Sequence, residues 1–328
     1  MSIISSSPQV QLVIGPPGTG KTSYLKQKTT EAAQRFGSEG VLVASLTKAA
    51  AIEIASRNLP IDRGQVGTLH SHCYRALGCP EVAEAKIRQW NEEAPSPWRL
   101  SPLRTDPEYA EVELPSTTDG DRAYHRYQYL RNTMVPRDRW PPSIKNFARY
   151  WEQFKNKNGY VDFTDMIEIA LDEQMKVPGN REACILDEAQ DFSALERDLI
   201  RSWIPYTELV VLAADPEQSI YGFRGAIGDD FLKIAGPGPS TEVLNQSYRI
   251  RRCIHRYTEE WMGTYLNDWP RYGPRDAEGS VLTLPCSSWT NVAPVVDHAL
   301  KQISDGRTVM LIASCRFMLR PLLAVLYK

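Results

Sequence analysis

One segment near the N-terminus, Gly15-Pro-Pro-Gly-Thr-Gly-Lys-Thr22, constrains the fold of this chain more than any other feature. It has the pattern G-x-x-x-x-G-K-[ST], follows an apolar run that predicts a strand at Val10–Ile14, and precedes a predicted helix at Thr22–Phe36. Such a segment needs glycines because its backbone curls around phosphate oxygens and offers N–H groups to them at the start of the helix. The pattern therefore predicts a phosphate-binding loop rather than a chance Gly/Pro turn.

The chemistry of this loop predicts a bound nucleoside triphosphate with its metal ion. Lys21 would hold the β- and γ-phosphates, and the hydroxyl of Thr22 would join the coordination shell of the metal. The predicted ligand is ATP with Mg²⁺. The rest of the loop would surround the phosphates, namely Gly15, Pro16, Pro17, Gly18, Thr19 and Gly20.

Strands and helices alternate around this loop. Further apolar runs predict strands at Val41–Ser45, Ala183–Leu186 and Leu209–Ala213, and an Ala-rich stretch after Thr47 predicts a helix. An alternation of this kind indicates an α/β fold with a parallel sheet and helices on its faces.

The composition limits the remaining possibilities. The chain has 328 residues and a formal net charge of −2, so any nucleic-acid surface must be a local groove. No apolar run reaches about eighteen residues, which argues against a membrane span, and the N-terminus lacks the charged segment of a signal peptide. Six cysteines without a C-x₂-C pair argue against a zinc ribbon, and a reducing cytoplasm is the predicted location.

A second polar segment, Cys184-Ile-Leu-Asp-Glu-Ala-Gln-Asp191, is an apolar strand that ends in acidic residues. Asp187, at the end of the strand, could hold Mg²⁺ through water as the second anchor of the metal. Glu188 could accept a proton from the attacking water molecule. The alternative is a solvated acidic turn, which the presence of the phosphate-binding loop makes the weaker interpretation.

A third polar segment, Ala213-Ala-Asp-Pro-Glu-Gln-Ser-Ile-Tyr-Gly-Phe-Arg-Gly225, also follows an apolar strand. Gln218 could sense the γ-phosphate or place the attacking water. Tyr221, Phe223 and Arg224 offer two aromatic faces and a cation, which suit unpaired bases and phosphates. The alternative interpretation is a packed aromatic turn.

The three segments together resemble the UvrD/Rep-like helicases of superfamily 1. The succession of DEAQD and ADPEQSIYGFRGA is highly specific to that family, because other ATPases with a phosphate-binding loop lack the second of these segments. Four more segments are similar to family motifs. Residues 43–53 resemble motif Ia, residues 67–77 the T-x-H-S-F segment, residues 160–166 the L-D-F-x-D-L/M segment and residues 244–250 motif IV.

The resemblance implies a motor that couples ATP hydrolysis to 3′–5′ movement along single-stranded DNA. It implies that Tyr248 stacks on adenine and that Arg249 reaches the γ-phosphate, so that Lys21, Glu188, Gln218 and Arg249 would form the catalytic set. Taken singly, His70 could be a helix-capping residue and Tyr248 a core aromatic residue, and it is the order of the motifs that favours functional roles. The DNA track would be lined by Thr47, Thr68, His70, Tyr221, Phe223 and Arg224.

The resemblance also divides the chain. Residues 1–77 and 159–252 would form a RecA-like ATP-binding domain, residues 78–158 an inserted helical subdomain, and residues 253–328 the beginning of a second RecA-like domain. In the C-terminal part the sequence predicts a linker at Gly273–Gly279, strands at Ser280–Leu284 and Thr308–Ile312, and helices at Ile250–Tyr265, Val292–Ile303 and Phe317–Tyr327.

Two family motifs, V and VI, have no counterpart in the chain, and Ser247 stands where motif IV usually has asparagine. A longer protein or a second polypeptide would have to supply motifs V and VI. Motif VI contributes an arginine to the γ-phosphate, and an arginine of this kind changes the rate of related phosphoryl transfers by about 10³–10⁵. A truncated ATP- and DNA-binding subunit without autonomous helicase activity is therefore an alternative function. An AAA-type ATPase or a nucleotide kinase is another, against which residues 213–225 argue.

The stretch from Asp121 to Lys157 combines cations with aromatic rings, a composition that suits a nucleic-acid backbone and its bases. Phe147, Tyr150, Trp151 and Phe154 have the helical spacing i, i+3, i+4, i+7, which predicts that they face a core. The sequence leaves two roles for the cations, DNA binding or solvated helix faces. They are Arg122, Arg126, Arg131, Arg137, Arg139, Lys145, Arg149, Lys155 and Lys157.

Overall fold

The computed structural model describes residues 8–56, 58–101, 118–234, 239–266, 271–285, 291–313 and 315–326. Its central strands are β1 (Gln9–Ile14), β2 (Val41–Ala44), β3 (Val66–Gly67), β4 (Ala183–Leu186), β5 (Leu209–Ala214) and β6 (Ser240–Val243). They form one sheet in the order β3-β2-β4-β5-β1-β6, and every neighbouring pair is parallel. The predicted α/β class, with a parallel sheet of the RecA-like kind found in P-loop NTPases, is confirmed.

The inner strands of this sheet separate two hydrophobic cores. Every residue of β2, β4 and β5 is buried, as expected for parallel strands that are covered on both faces. Successive side chains point to opposite faces, so that Leu42 and Leu212 enter one core while Val43 and Val211 enter the other. This two-sided burial explains why these strands are continuous apolar runs in the sequence.

Helices surround the sheet, and several of them begin at a side-chain cap. Thr68, Asp162 and Ser193 each accept the backbone N–H of the third helical residue, whose side chain bonds back to the cap. Predicted boundaries lie within a few residues of the observed ones. The helices are α1 (Lys21–Phe36), α2 (Lys48–Ala55), α3 (Leu69–Ala76), α4 (Ile87–Glu93), α5 (Asp119–Asn132), α6 (Pro142–Asn158), α7 (Phe163–Asp172), α8 (Ala194–Trp203), α9 (Arg252–Tyr265), α10 (Ala293–Ser304) and α11 (Arg316–Leu326).

Helices α4, α5 and α6 enclose a separate hydrophobic core that is rich in aromatic rings. Phe147, Trp151 and Phe154 are buried there, and Tyr150 packs partly buried against them. The rings of Trp90 and Trp151 meet edge-to-face with their centroids 5.0 Å apart, a favoured aromatic geometry. The predicted core role of this aromatic stripe is confirmed.

Two of the cations considered as DNA ligands, Arg131 and Lys155, lie inside the protein, each 4% exposed. Both bind the buried carboxylate of Asp162, Arg131 at 2.9 Å and Lys155 at 2.8 Å. For these two residues the DNA-binding interpretation is wrong, because their charge is neutralised by acidic residues that follow the stretch in sequence. The other cations of the stretch are exposed, namely Arg122, Arg126, Arg137, Arg139, Lys145, Arg149 and Lys157.

The segment that follows β6 departs from the sequence prediction. A strand β7 (Gln246–Arg251) pairs in parallel with β8 (Gly273–Arg275), and the helix predicted from Ile250 begins only after β7. The prediction that Gly273–Gly279 is a linker is therefore wrong for its first residues. No local pattern marks β8 as a strand, because its pairing depends on β7, which lies far away in sequence.

The strands predicted at Ser280–Leu284 and Thr308–Ile312 are not formed, while α10 and α11 match the predicted helices. A strand requires a hydrogen-bonded neighbour, and within the described residues neither segment pairs with another strand. Met310 and Ile312 are each 81% exposed. Tyr327, the predicted last residue of the final helix, lies outside the described residues. Across the described parts of the chain, no helix has the length and apolar character needed to cross a bilayer.

Candidate nucleotide-binding site

The three polar segments found in the sequence meet at one edge of the sheet. The phosphate-binding loop follows β1, the acidic segment follows β4, and the segment with Gln218 follows β5, which lies between the other two strands. Because parallel strands all end at the same edge, the loops after neighbouring strands lie side by side. The topology therefore creates a common site from segments that are far apart in sequence.

The phosphate-binding loop is curled by its own hydrogen bonds. The hydroxyl of Thr19 donates to the carbonyl of Pro16 at 2.7 Å, and Nζ of Lys21 donates to the carbonyl of Gly15 at the same distance. Gly18 and Gly20 have φ angles of 72° and 91°, which side-chain-bearing residues rarely adopt. The loop, which includes Pro17, leads directly into α1, whose first turn carries Lys21 and Thr22.

The acidic pair lies at the end of β4. Asp187 is 5% exposed, and burial together with the neighbouring Glu188 raises the pKa of Asp187 to about 7, while Lys21 opposes this shift. Glu188 has φ 54° and ψ 42°, a left-handed conformation that costs a residue other than glycine about 1 kcal/mol. This turn directs the two carboxylates differently, since that of Glu188 accepts a hydrogen bond from Nε2 of Gln190 at 2.7 Å.

Asp215 connects the lysine to the glutamine. Its carboxylate is 3.9 Å from Nζ of Lys21 and accepts a hydrogen bond from Nε2 of Gln218. Burial raises the pKa of Asp215, whereas Lys21 lowers it. The structure thus brings Lys21, Asp187 and Gln218 to one place, as the sequence predicts. Asp215 itself was missed, although an aspartate directly after an apolar strand is the same signal that identified Asp187.

Gln190 and Asp191 link the acidic turn to the loop after β5, and sequence reasoning gave neither a role. Oε1 of Gln190, which is 1% exposed, accepts the backbone N–H of Asp215 at 3.0 Å. Oδ1 of Asp191 accepts from the hydroxyl of Ser219 at 3.1 Å and from the N–H of Ile220 at 3.2 Å. These bonds hold the two loops in a fixed relation. Only the tertiary structure identifies them, because their partners are 25 and 28 residues away.

Tyr248 and Arg249 reach the same site from β7. The N–H of Tyr248 donates to the carbonyl of Gly18 at 2.8 Å, and Arg249 lies so close to Gly18 that a side chain there would collide with it. The ring of Tyr248 is 70% exposed. Both residues therefore lie next to the phosphate-binding loop, as the resemblance implies, and the ring of Tyr248 is not part of a core.

The residues predicted to line a DNA track lie at the same edge of the sheet. Thr47 and Thr68 follow β2 and β3, and their hydroxyls cap α2 and α3 by accepting N–H groups at 3.2 and 3.1 Å. His70 packs edge-to-face against Phe163, with Nδ1 3.6 Å from the carboxylate of Glu196. Burial lowers the pKa of His70. All three polar groups thus have structural partners, and Thr68 is 6% exposed.

The aromatic loop after β5 exposes one of its rings at this edge. Phe223 is 56% exposed, and its ring lies 5.8 Å from that of Tyr221. The guanidinium of Arg224 lies 5.8 Å from the centre of the Tyr221 ring. A packed aromatic turn describes only part of this loop, because Tyr221 packs partly buried against the core while the Phe223 ring faces solvent.

A family model described as an AAA domain matches residues 2–224 of the chain. The chain belongs to this AAA domain family. The matched segment contains the phosphate-binding loop, the acidic pair and the aromatic loop up to Arg224. Together with the relatives below, it confirms the likeness to UvrD/Rep-like helicases that the motifs predict.

Relatives of this AAA domain chain are named as DNA helicases. The candidate ATP-dependent DNA helicase YjcD of Bacillus subtilis is 24% identical over 271 residues, which are 74% of this chain and 35% of that protein. The ATP-dependent DNA helicase SRS2 of Saccharomyces cerevisiae is 23% identical over 293 residues, 75% of this chain and 25% of the relative. A DNA helicase II homolog of Mycoplasma capricolum is 23% identical over 330 residues, which are 92% of this chain and 46% of that protein. The chain spans less than half the length of each.

Proposed function

We propose that this chain is the ATP-binding part of a DNA helicase or translocase of the UvrD/Rep-like superfamily 1 type, which uses ATP hydrolysis to move 3′–5′ along single-stranded DNA. The observation that carries the proposal is that Asp215 forms an ion pair with Lys21 and accepts a hydrogen bond from Gln218. This set of three residues lies beside the acidic pair and is continuous with an exposed aromatic loop. The names of the relatives support ATP and DNA as the ligands.

ATP would bind with its phosphates in the loop of residues 15–22. Lys21 would exchange the carbonyl of Gly15 for the β- and γ-phosphates, and Tyr248 would stack on the adenine. Mg²⁺ fits this donor set, because it takes one or two protein oxygens and completes its shell with water and phosphate. Thr22 and Asp187 would hold it, and its charge would offset the burial that raises the pKa of Asp187. When bound, the ion would neutralise charge on the phosphates.

Glu188 would act as the general base for the attacking water. Gln190 holds the Glu188 carboxylate by a bond of 2.7 Å, so the base is oriented before the substrate arrives. Gln218 and Arg249 would contact the γ-phosphate, Gln218 from the loop after β5 and Arg249 from β7. A change at the γ-phosphate would therefore alter the contacts of both the loop after β5 and strand β7.

Single-stranded DNA would run along the edge formed by the loops after β2, β3 and β5. The exposed ring of Phe223 and the partly buried ring of Tyr221 would stack on bases, and Arg224 would bind a phosphate. Thr47, Thr68 and His70 would complete the track. Ser219 and Ile220, in the loop after β5, donate hydrogen bonds to Asp191, which closely follows the acidic pair in sequence. These bonds support a direct coupling between the DNA track and the acidic pair.

The proposed domain organisation is that of the resemblance, with residues 1–77 and 159–252 as one RecA-like domain, 78–158 as an inserted subdomain and 253–328 as the beginning of a second. Motifs V and VI would come from further chain or from a second polypeptide. A cytoplasmic location goes with this proposal, since the five described cysteines are free, as in reducing compartments.

The decisive experiment measures ATP hydrolysis by the protein with and without single-stranded DNA. We expect DNA to raise the turnover rate. Lys21→Ala should abolish turnover and weaken nucleotide binding about a hundredfold, because a hydrogen bond to a charged group is lost. Lys26→Ala, an exposed lysine of the same helix, is the matched control. Nucleotide and DNA binding without any turnover would instead support the non-motor subunit, and no response to DNA at all would favour a different ATPase.

A further inference from the structure

Two adjacent hydrogen bonds join the phosphate-binding loop to β7. The hydroxyl of Ser247 donates to the carbonyl of Pro17 at 2.7 Å, and the N–H of Tyr248 donates to the carbonyl of Gly18 at 2.8 Å. Ser247 is completely buried. Gly18 permits this approach, because a Cβ at that position would collide with Arg249. We call these two bonds the loop clasp.

The clasp fixes the orientation of two peptide groups in the loop. In a planar trans peptide the C=O and the following N–H point in opposite directions. Since the Pro17 carbonyl faces Ser247, the N–H of Gly18 points away from β7. The backbone N–H groups of such a loop are the groups that bind phosphate. A bond on the outer side of the loop therefore controls which way its phosphate-binding side is turned.

Ser247 also orders the strand that carries the two candidate nucleotide ligands. Its Oγ accepts the N–H groups of Arg249 at 3.3 Å and Ile250 at 3.0 Å while it donates to Pro17. One buried hydroxyl thus makes three bonds, two within β7 and one to the loop. Its removal leaves the Pro17 carbonyl without this donor and loosens the strand on which Tyr248 and Arg249 lie.

We propose that Ser247 is a positioning residue for the nucleotide, holding the phosphate-binding loop and the Tyr248–Arg249 strand in one arrangement. This inference rests on the proposed function only in taking the nucleotide as ATP. Ser247 touches no phosphate itself and acts through the loop and through its two neighbours. Loss of the hydroxyl weakens ATP binding, and its effect on kcat acts through Arg249, because Glu188 and Asp187 follow β4 rather than β7.

The test compares Ser247→Ala and Ser247→Thr with the wild-type protein. Binding of a fluorescent ATP analogue and of a GTP analogue is measured by titration, and KM and kcat are measured for hydrolysis. Ser247→Ala should weaken ATP binding and raise KM about tenfold, the effect of one lost hydrogen bond to a buried carbonyl. Binding of the GTP analogue should weaken by a similar factor, because a stacked ring does not distinguish the two purines. Ser247→Thr keeps Oγ on a β-branched residue that suits a strand, and should recover most of the affinity.

Ser240→Ala, which removes an exposed serine of β6, is the control, and thermal melting verifies that each variant is folded. The proposal is overturned if folded Ser247→Ala binds ATP within twofold of wild type, or if folded Ser247→Thr is as weak as Ser247→Ala. Failure of the wild-type protein to respond to DNA, with nucleotide binding intact, would remove the helicase proposal and leave the loop clasp standing.

Discussion

Lys21 shows how single residues prepare the site for a highly charged ligand. Its side chain is 12% exposed and faces a carboxylate of Asp215 that is 1% exposed. A buried charge without a partner is unfavourable by several kcal/mol. When phosphates enter, Lys21 gains new partners on one side, while the Asp215 carboxylate retains the hydrogen bond from Gln218.

Glu188→Gln tests the proposed base at the level of one atom. Glutamine has nearly the same shape but cannot accept a proton, so nucleotide binding should persist while turnover falls by about 10²–10⁴. Binding of a fluorescent ATP analogue and steady-state hydrolysis provide the two measurements. Glu92→Gln, at an exposed position of α4, is the control. Normal turnover in the Glu188 variant would assign the base to another group.

His72 makes stability depend on pH. Its Nε2 is 3.1 Å from the carbonyl of Val43 and its Nδ1 accepts from Arg75 at 2.9 Å, and burial lowers the pKa of His72 to about 4. The unfolded chain takes up this proton below about pH 6.5, so acidification from 6.5 to 4 favours unfolding.

We expect the free energy of unfolding to fall by up to about 1.4 kcal/mol per pH unit in that window on account of His72. In His72→Gln the amide can still donate to Val43 but takes up no proton. Urea denaturation at several pH values should therefore show that the free energy of unfolding of this variant depends less steeply on pH than that of the wild-type protein. Equal slopes for the two proteins would mean that His72 does not carry the effect.

At the scale of elements, a buried ionic cluster joins α5 and α6 to α7. Arg131 of α5 and Lys155 of α6 both bind Asp162 and Asp165, and Asp162 also accepts from Nε1 of Trp151 at 2.9 Å. The two cations hold the pKa of Asp162 well below its usual range despite complete burial. Residues 160–166, similar to a family segment, thus serve to fix α7 against α5 and α6.

Arg131→Met should destabilise the protein by about 3–5 kcal/mol, because it leaves a buried carboxylate with one cation fewer. Urea denaturation measures the change. Arg126→Met, at an exposed position of the same helix, should change the free energy of unfolding by less than about 0.5 kcal/mol. Similar losses in the two variants would show that helix α5, rather than the cluster, is sensitive to losing an arginine.

At the scale of the whole molecule, the parallel sheet separates a functional edge from a structural one. The loops after β1, β2, β3, β4 and β5 carry the candidate nucleotide and DNA residues, whereas the opposite edge carries none of them. A ligand-binding edge at the carboxyl ends of the strands is the general behaviour of such sheets. The proposed DNA track and nucleotide site are therefore neighbours by topology.

Phe223→Ala tests whether DNA binds at the functional edge of the sheet. Loss of one stacking ring should weaken single-stranded DNA binding about tenfold or more, since stacking contributes ~1–3 kcal/mol per base. Fluorescence anisotropy with a labelled oligonucleotide measures the affinity. Tyr206→Ala is the matched control, because Tyr206 is 46% exposed but precedes β5 and so lies at the opposite edge. Equal effects would indicate that DNA does not use the functional edge.

Local sequence patterns determined the strand–loop–helix units and the ends of the strands. The phosphate-binding loop, the acidic pair after β4 and the helices of the inserted segment were predictable because each depends on neighbours within one turn or one strand. The aromatic stripe of α6 was predictable for the same reason, because the spacing of its apolar residues matches the helical period.

The tertiary structure alone decided which distant groups pair. It placed Asp215 against Lys21, turned Arg131 and Lys155 inward to Asp162, and gave residues 308–312 no strand partner among the residues that the structure describes. A charge or an apolar run in the sequence has no fixed role until its partner is known. Pairing depends on where the sheet brings remote segments together, and that is a property of the folded chain rather than of any window along it.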